Sequence, residues 1–150
     1  DSKKDLQRVV NLLNKMSNKI PILFPIHPRT KINLEKFSFR LNESIRLLEP
    51  LSYLKFLSLM SNANMVLTDS GGIQEETTAL GIPCITMRNN TERPITIDIG
   101  TNVLAGTNND NIIEIFDRFL TGDPPSGIIP PFWDGKASSR IAQIIKNNLE

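Results

Sequence analysis

Residues 65–76 read MVLTDSGGIQEE, an apolar run that stops at an Asp-Ser-Gly-Gly turn and passes directly into a helical pattern. Gly81 stands where such a helix would be capped, and Pro83 opens the next apolar run, PCITM at 83–87. A short strand without polar alternation, a tight turn and a helix form the repeating unit of a parallel sheet covered on both faces.

The unit recurs on either side. Leu6, Val9, Val10, Leu13 and Met16 recur at helical spacing and predict a first helix ending near Ser17 and Asn18. PILFPIH at 21–27 follows as a strand, a helix is expected over 30–38, and IRLLEP at 45–50 reads as another strand. SYLKFLSLM at 52–60 predicts a helix with Ser52 as cap. Downstream, TERPITIDIG holds a short helix with Pro94 in its first turn, NVLAG at 102–106 is the fifth strand, and DNIIEIFDRFL at 110–120 is amphipathic. The expected fold is α/β: a Rossmann-like, doubly wound parallel sheet forming one domain over residues 1–150.

The alternation breaks at TGDPPSGIIPPFWDG, where four prolines and three glycines predict a crossing loop before a terminal helix in KASSRIAQIIKNNL. Residues from about 124 to 150 are expected to pack elsewhere. Asp1-Ser2 looks like the start of a helix and not of a gene product, so a fragment is expected.

Composition narrows the function classes. The 150 residues are 39% hydrophobic and 22% charged, ordinary for a globular domain. Seventeen basic and sixteen acidic residues leave a net charge of +1, with the basic ones scattered, which argues against nucleic acid or an anionic membrane as partner. Cys84 is the single cysteine, so neither an internal disulfide nor a zinc spacing exists. No apolar stretch reaches membrane-spanning length and no leader pattern opens the chain, which reads as cytoplasmic.

In an open parallel sheet, ligands bind beyond the carboxyl ends of the strands. Gly71 and Gly72 would let an oxyanion approach the N–H groups at the positive end of the helix, and Ser70 adds a hydroxyl. The pattern suits a phosphate or diphosphate, and the Walker lysine is replaced by Ile73 and Gln74. Read alone, the turn serves equally as a plain strand-to-helix connection capped by Asp69 or Ser70. Of Glu75 and Glu76, about 100° apart on the helix, one can face a cleft and accept from vicinal hydroxyls. The loop RNNTERP opens on the same sheet edge and offers Arg88 and Arg93 to the same anion; the competing partner is Glu92 or solvent.

These residues together resemble the UDP-N-acetylglucosamine 2-epimerase family, whose C-terminal domain carries D-S-G-G-x-Q-E-E, L-G-x-P and T-E-R-P. They stand here at Asp69 to Glu76, Leu80 to Pro83 and Thr91 to Pro94. FPIHPRT at 24–30, YLKFLSLM at 53–60 and DGKASSRI at 134–141 match in the same order, so the resemblance covers nearly the whole chain. Ile95 replaces a commonly acidic residue and Thr77 a frequent alanine.

The resemblance implies the C-terminal half of a two-domain fold like that of GT-B glycosyltransferases, with the N-terminal catalytic domain outside this chain. It implies that Ser70, Gly71 and Gly72 hold the UDP diphosphate, Glu76 the ribose and Arg93 the nucleotide, with Phe56 near uracil and Leu51 close by. By itself, Phe56 on an apolar helix face reads as core. His27 and Arg29 are cleft candidates; His27 reads alternatively as a cap at the strand end, and no catalytic residue is assigned. The implied activity of the whole enzyme is conversion of UDP-N-acetylglucosamine to UDP-N-acetylmannosamine by elimination and re-addition of UDP, in a homodimer, with a UDP-sugar as the partner and no cofactor or metal. A GT-B glycosyltransferase half and a non-catalytic sugar-nucleotide-binding module remain open.

Overall fold

The computed structural model describes residues 2–149; Asp1 and Glu150 lie outside the described residues. Ser2, extended at φ −74° and ψ 152°, caps the first helix by accepting the Asp5 N–H, and α1 runs Lys3–Ser17. There follow β1 (Ile22–Pro25), α2 (Pro28–Lys36), β2 (Ile45–Leu48), α3 (Tyr53–Ser61), β3 (Val66–Thr68) and α4 (Gly71–Leu80). The chain continues through β4 (Cys84–Thr86), α5 (Ile95–Asp98), β5 (Asn102–Leu104), α6 (Asn109–Leu120) and α7 (Ala137–Leu149).

All strand pairs are parallel, as the unalternating apolar runs require. The sheet is in two pieces where one continuous sheet was expected: β1 pairs β2, and β3, β4 and β5 pair in that order. The composition of β1 supplies a reason. Ile22 and Ile26 donate their N–H groups to Ser44 and Leu48 on the β2 side. The alternate residues Pro21, Leu23 and Pro25 therefore face the other edge, and two of those three have no N–H to give.

The helix expected at 30–38 begins earlier and ends earlier. His27 takes the capping position with Nδ1 accepting the Arg29 N–H at 3.2 Å, and Pro28 fills the first turn, where a missing N–H costs nothing. Ser38 at φ 54° ends it. Gly81 closes α4 in the left-handed conformation at φ 70°, with its N–H on the Thr78 carbonyl and Ile82 N–H on that of Thr77.

Strand β4 divides the larger sheet into two faces, because successive side chains point opposite ways. Ile85 points to α1 and α6, joining Leu12, Met16, Ile112, Ile113, Ile115, Phe116 and Phe119 in an apolar cluster. Cys84 and Thr86 point to α4, where Gln74, Thr77 and Thr78 are also buried. A smaller cluster of Val10, Ile26 and Leu34 serves the β1–β2 unit.

After α6 the crossing segment is pinned to the larger sheet's helices. Ile128 N–H donates to the Ile99 carbonyl at 2.8 Å, and Gly127 lies so close to Gly100 that a Cβ on it would sit 2.3 Å from the Gly100 carbonyl carbon. Helix α7 then leaves the body with none of its residues buried, and Ile141, Ile144, Ile145 and Leu149 are all exposed.

Candidate functional site

The Ser-Gly-Gly turn joins β3 to α4. Thr68, buried at the end of β3, accepts the Ser70 N–H on its hydroxyl at 3.0 Å, which fixes the backbone as it leaves the strand. Ser70 takes the N-cap position at φ −88° and ψ 131°, yet its side chain makes no capping bond to the helix. The exposed hydroxyl stands beside the N–H groups of the first turn, which lack intrahelical acceptors and carry the positive end of the helix dipole.

Gly71 and Gly72 are not required by the fold. Neither has a positive φ, and a Cβ built on either would meet nothing within 4 Å. At Gly100 and Gly127, by contrast, a Cβ would collide with backbone at 2.5 and 2.3 Å. Glycine inside a helix costs about 0.5–1 kcal/mol relative to alanine, so two adjacent glycines in open space leave room for something other than protein.

The loop after β4 brings Arg93 to the same helix. Its Nε lies 3.0 Å from Glu75 Oε1, and Nη1 donates to the Glu92 backbone carbonyl at 3.3 Å. The carboxylate partner is thus Glu75 and not the neighbouring Glu92. Both side chains are about 40% exposed, and the Nε–H is not aimed at the oxygen, so the pair is a charge contact of modest strength. An arginine held this loosely retains donors for an incoming anion.

Glu76, one position further round the helix, is half-buried and lines a shallow concavity with Glu75, Ala79 and Trp133. Trp133 belongs to the crossing segment, which the sequence marked only as a loop; it is the single tryptophan of the chain and adjoins the DGKASSRI match. Phe56 is half-buried on α3, which packs against α4. Arg88, half-buried, has its carbonyl bonded by the Gly106 N–H. His27 and Arg29 sit exposed at the start of α2 in the β1–β2 unit, where the histidine serves as helix cap.

Beneath the turn and the arginine loop lies a polar layer that the sequence reading missed. Thr91 donates its hydroxyl to Gln74 Oε1 at 2.6 Å and accepts the Arg93 N–H at 3.0 Å. Asn102, at the start of β5, donates to Thr96 Oγ1 at 3.1 Å and to Gln74 Oε1 at 3.3 Å, and accepts the Thr86 hydroxyl at 2.6 Å. Cys84 shares this layer, and burial pushes its thiol up despite the hydroxyls of Thr77 and Thr86. Among the described residues no cluster of His, Cys, Asp and Glu could hold a metal ion, and no helix is long and apolar enough to cross a membrane.

Residues 1–146 match the family model described as UDP-N-acetylglucosamine 2-epimerase. A UDP-N-acetylglucosamine 2-epimerase of Methanococcus maripaludis is 40% identical over 97% of this chain and 41% of its own length. One from Escherichia coli is 39% identical over 86% of the chain and 36% of its own length. Among solved structures, a UDP-GlcNAc 2-epimerase of Methanocaldococcus jannaschii in complex with UDP-GlcNAc and UDP superposes with a TM-score of 0.83 at 39% identity, covering 98% of this chain and 42% of that one. The chain thus spans about two-fifths of the length of the relatives it matches.

Proposed function

The chain belongs to the UDP-N-acetylglucosamine 2-epimerase family, and from that premise we propose that residues 1–150 form the C-terminal, nucleotide-holding domain of such an enzyme. Ser70, Gly71 and Gly72 receive the diphosphate of a UDP-sugar, Arg93 adds its guanidinium, Glu76 accepts from the ribose hydroxyls, and Phe56 lies toward the base. His27 and Arg29 are left without a role in the reaction. The observation that carries the reading is the pair of helical glycines in open space beside Ser70 and within one helical turn of the Glu75–Arg93 pair.

The whole enzyme interconverts UDP-N-acetylglucosamine and UDP-N-acetylmannosamine, breaking the bond from the anomeric carbon to the diphosphate and later re-forming it. Negative charge grows on the diphosphate as that bond breaks. Fixed N–H dipoles of the helix and the guanidinium on the adjoining loop stabilise the charge, and hold UDP for the return step. Proton removal at carbon 2 falls to groups of the N-terminal domain. The free, buried thiol of Cys84 favours a cytoplasmic setting, and a homodimer is the assembly that the resemblance implies.

Proton NMR of the whole protein with UDP-N-acetylglucosamine in deuterated water tests the reaction: a UDP-N-acetylmannosamine signal with deuterium at carbon 2 is expected. UDP released only when a sugar acceptor is added would overturn it in favour of a transferase. Arg93→Ala should lower turnover as well as UDP affinity, each by about tenfold or more; unchanged turnover with intact affinity would remove Arg93 from the site.

A further inference from the structure

Arg93 sits in the loop between β4 and α5, yet both of its backbone polar groups are gripped from below. Its N–H donates to Thr91 Oγ1 at 3.0 Å, and its carbonyl accepts the Thr96 hydroxyl at 2.7 Å. Each threonine is tied in turn to one of two buried amides. Thr91 donates to Gln74, and Thr96 accepts from Asn102, while Asn102 donates to Gln74 and closes the ring. Gln74 and Thr96 are 0% exposed and Asn102 is 2% exposed. Every hydroxyl proton in the ring is used once, so the donor directions are mutually consistent.

Such a ring is an unusual way to fill this layer. The opposite face of the same sheet carries an apolar cluster of isoleucine, leucine, phenylalanine, methionine and alanine, so folding does not need amides here. The ring is also incomplete: Gln74 Nε2 is buried without a partner, a cost that an apolar side chain would avoid. What the ring delivers is geometry. Gln74 lies one turn beyond the Ser70–Gly72 turn on α4, so the ring fixes the arginine loop to the helix whose N-terminus it faces.

We propose that Gln74 and Asn102 are positioning residues that hold Arg93 in register with the Ser70–Gly72 turn, joining the two halves of the diphosphate site. The inference rests on the reading of Arg93 as a nucleotide contact. Holding the loop in its bound geometry before the ligand arrives removes an ordering cost from binding.

UDP titration calorimetry on the chain tests it, with Thr91→Val, Thr91→Ser, Gln74→Met, Arg93→Ala and Thr91→Val/Arg93→Ala. Thr91 is half-buried, so its variants leave the core intact, and a folded Gln74→Met should weaken UDP as Thr91→Val does, wild-type affinity there overturning the inference. Thr91→Val should weaken UDP about fivefold or more and Thr91→Ser less than about twofold, while Thr91→Val should add nothing once Arg93 is alanine. Wild-type affinity in Thr91→Val beside a weakened Arg93→Ala would overturn the inference. Equal loss in both backgrounds would overturn it too, because the ring would then serve structure alone. An Arg93→Ala variant that binds UDP as the wild type does would instead strike at the reading of Arg93 on which the inference stands.

Discussion

Strand β4 has two faces, and they are built from different chemistry. Toward α1 and α6, Ile85 enters a buried apolar cluster with Leu12, Met16, Ile112, Phe116 and Phe119. Toward α4, Thr86 donates to Asn102, and Gln74, Thr77, Thr78 and Thr96 are buried as deeply, all at most 2% exposed. Both faces are buried, the polar one if anything more deeply, so burial alone does not set their composition. The apolar face holds the domain together, and the polar face fixes the two loops that leave its strands on the side where a ligand is proposed to bind. A hydrogen-bonded ring specifies one arrangement of those loops even with Gln74 Nε2 left over, where an apolar layer would tolerate several.

The largest effect that separates the faces comes from the apolar one. Phe116→Ala opens a cavity against a residue that is 0% exposed and should cost about 3–5 kcal/mol of unfolding free energy. Urea denaturation measures it, and UDP affinity of the molecules still folded should hardly change. A loss of affinity larger than the unfolded fraction explains would mean that the two faces are not separable.

Gly72→Ala should do the reverse. The new Cβ meets nothing in the protein, so the melting temperature should hold or rise, by up to about 1 kcal/mol in stability, while UDP binding weakens severalfold. Destabilisation without any change in binding would return the turn to a purely structural role.

The smallest effect belongs to the segment that takes no part in either face. The Arg140 guanidinium and then the Lys136 N–H hold the Asp134 carboxyl below its ordinary value of 3.8. A depressed carboxylate stabilises above its unfolded value and loses that contribution as pH falls through its lower folded one. Acidification below about pH 4 should therefore release the start of α7 first, seen as shifted amide signals for residues 134–140 while those of α6 stay put. Simultaneous loss of both would show that α7 is coupled to the core.

Much of this was legible in the sequence, and the exceptions have physical causes. Ser70, Gly71, Gly72, Glu75 and Glu76 are consecutive or nearly so, and a turn of that composition between a strand and a helix announces itself. The nearness of Arg93 to α4 was legible because parallel topology puts the ends of neighbouring strands on one edge. Trp133 was not, since it reaches α4 only through the Gly127–Gly100 crossing, a contact between distant parts of the chain. The polar ring was hidden for the same reason: Gln74, Thr91, Thr96 and Asn102 lie on a helix, a loop, a second helix and a strand, and none of them alone names its partners. Asn102 opening an otherwise apolar strand was the available cue. His27-Pro28 carried a cap-and-first-turn signature that apolar spacing overlooked, and the prolines flanking Leu23 marked the edge at which the sheet divides.

The Ser70–Gly72 turn and Arg93 are proposed to hold a uridine diphosphate together. Calorimetric titration of the folded chain with UDP, with ADP as control, alongside Ser70→Ala and Arg93→Ala, decides it. UDP-selective binding that is weakened in both variants is the expected result. A folded chain that does not distinguish UDP from ADP, or variants that bind UDP as the wild type does, would contradict it.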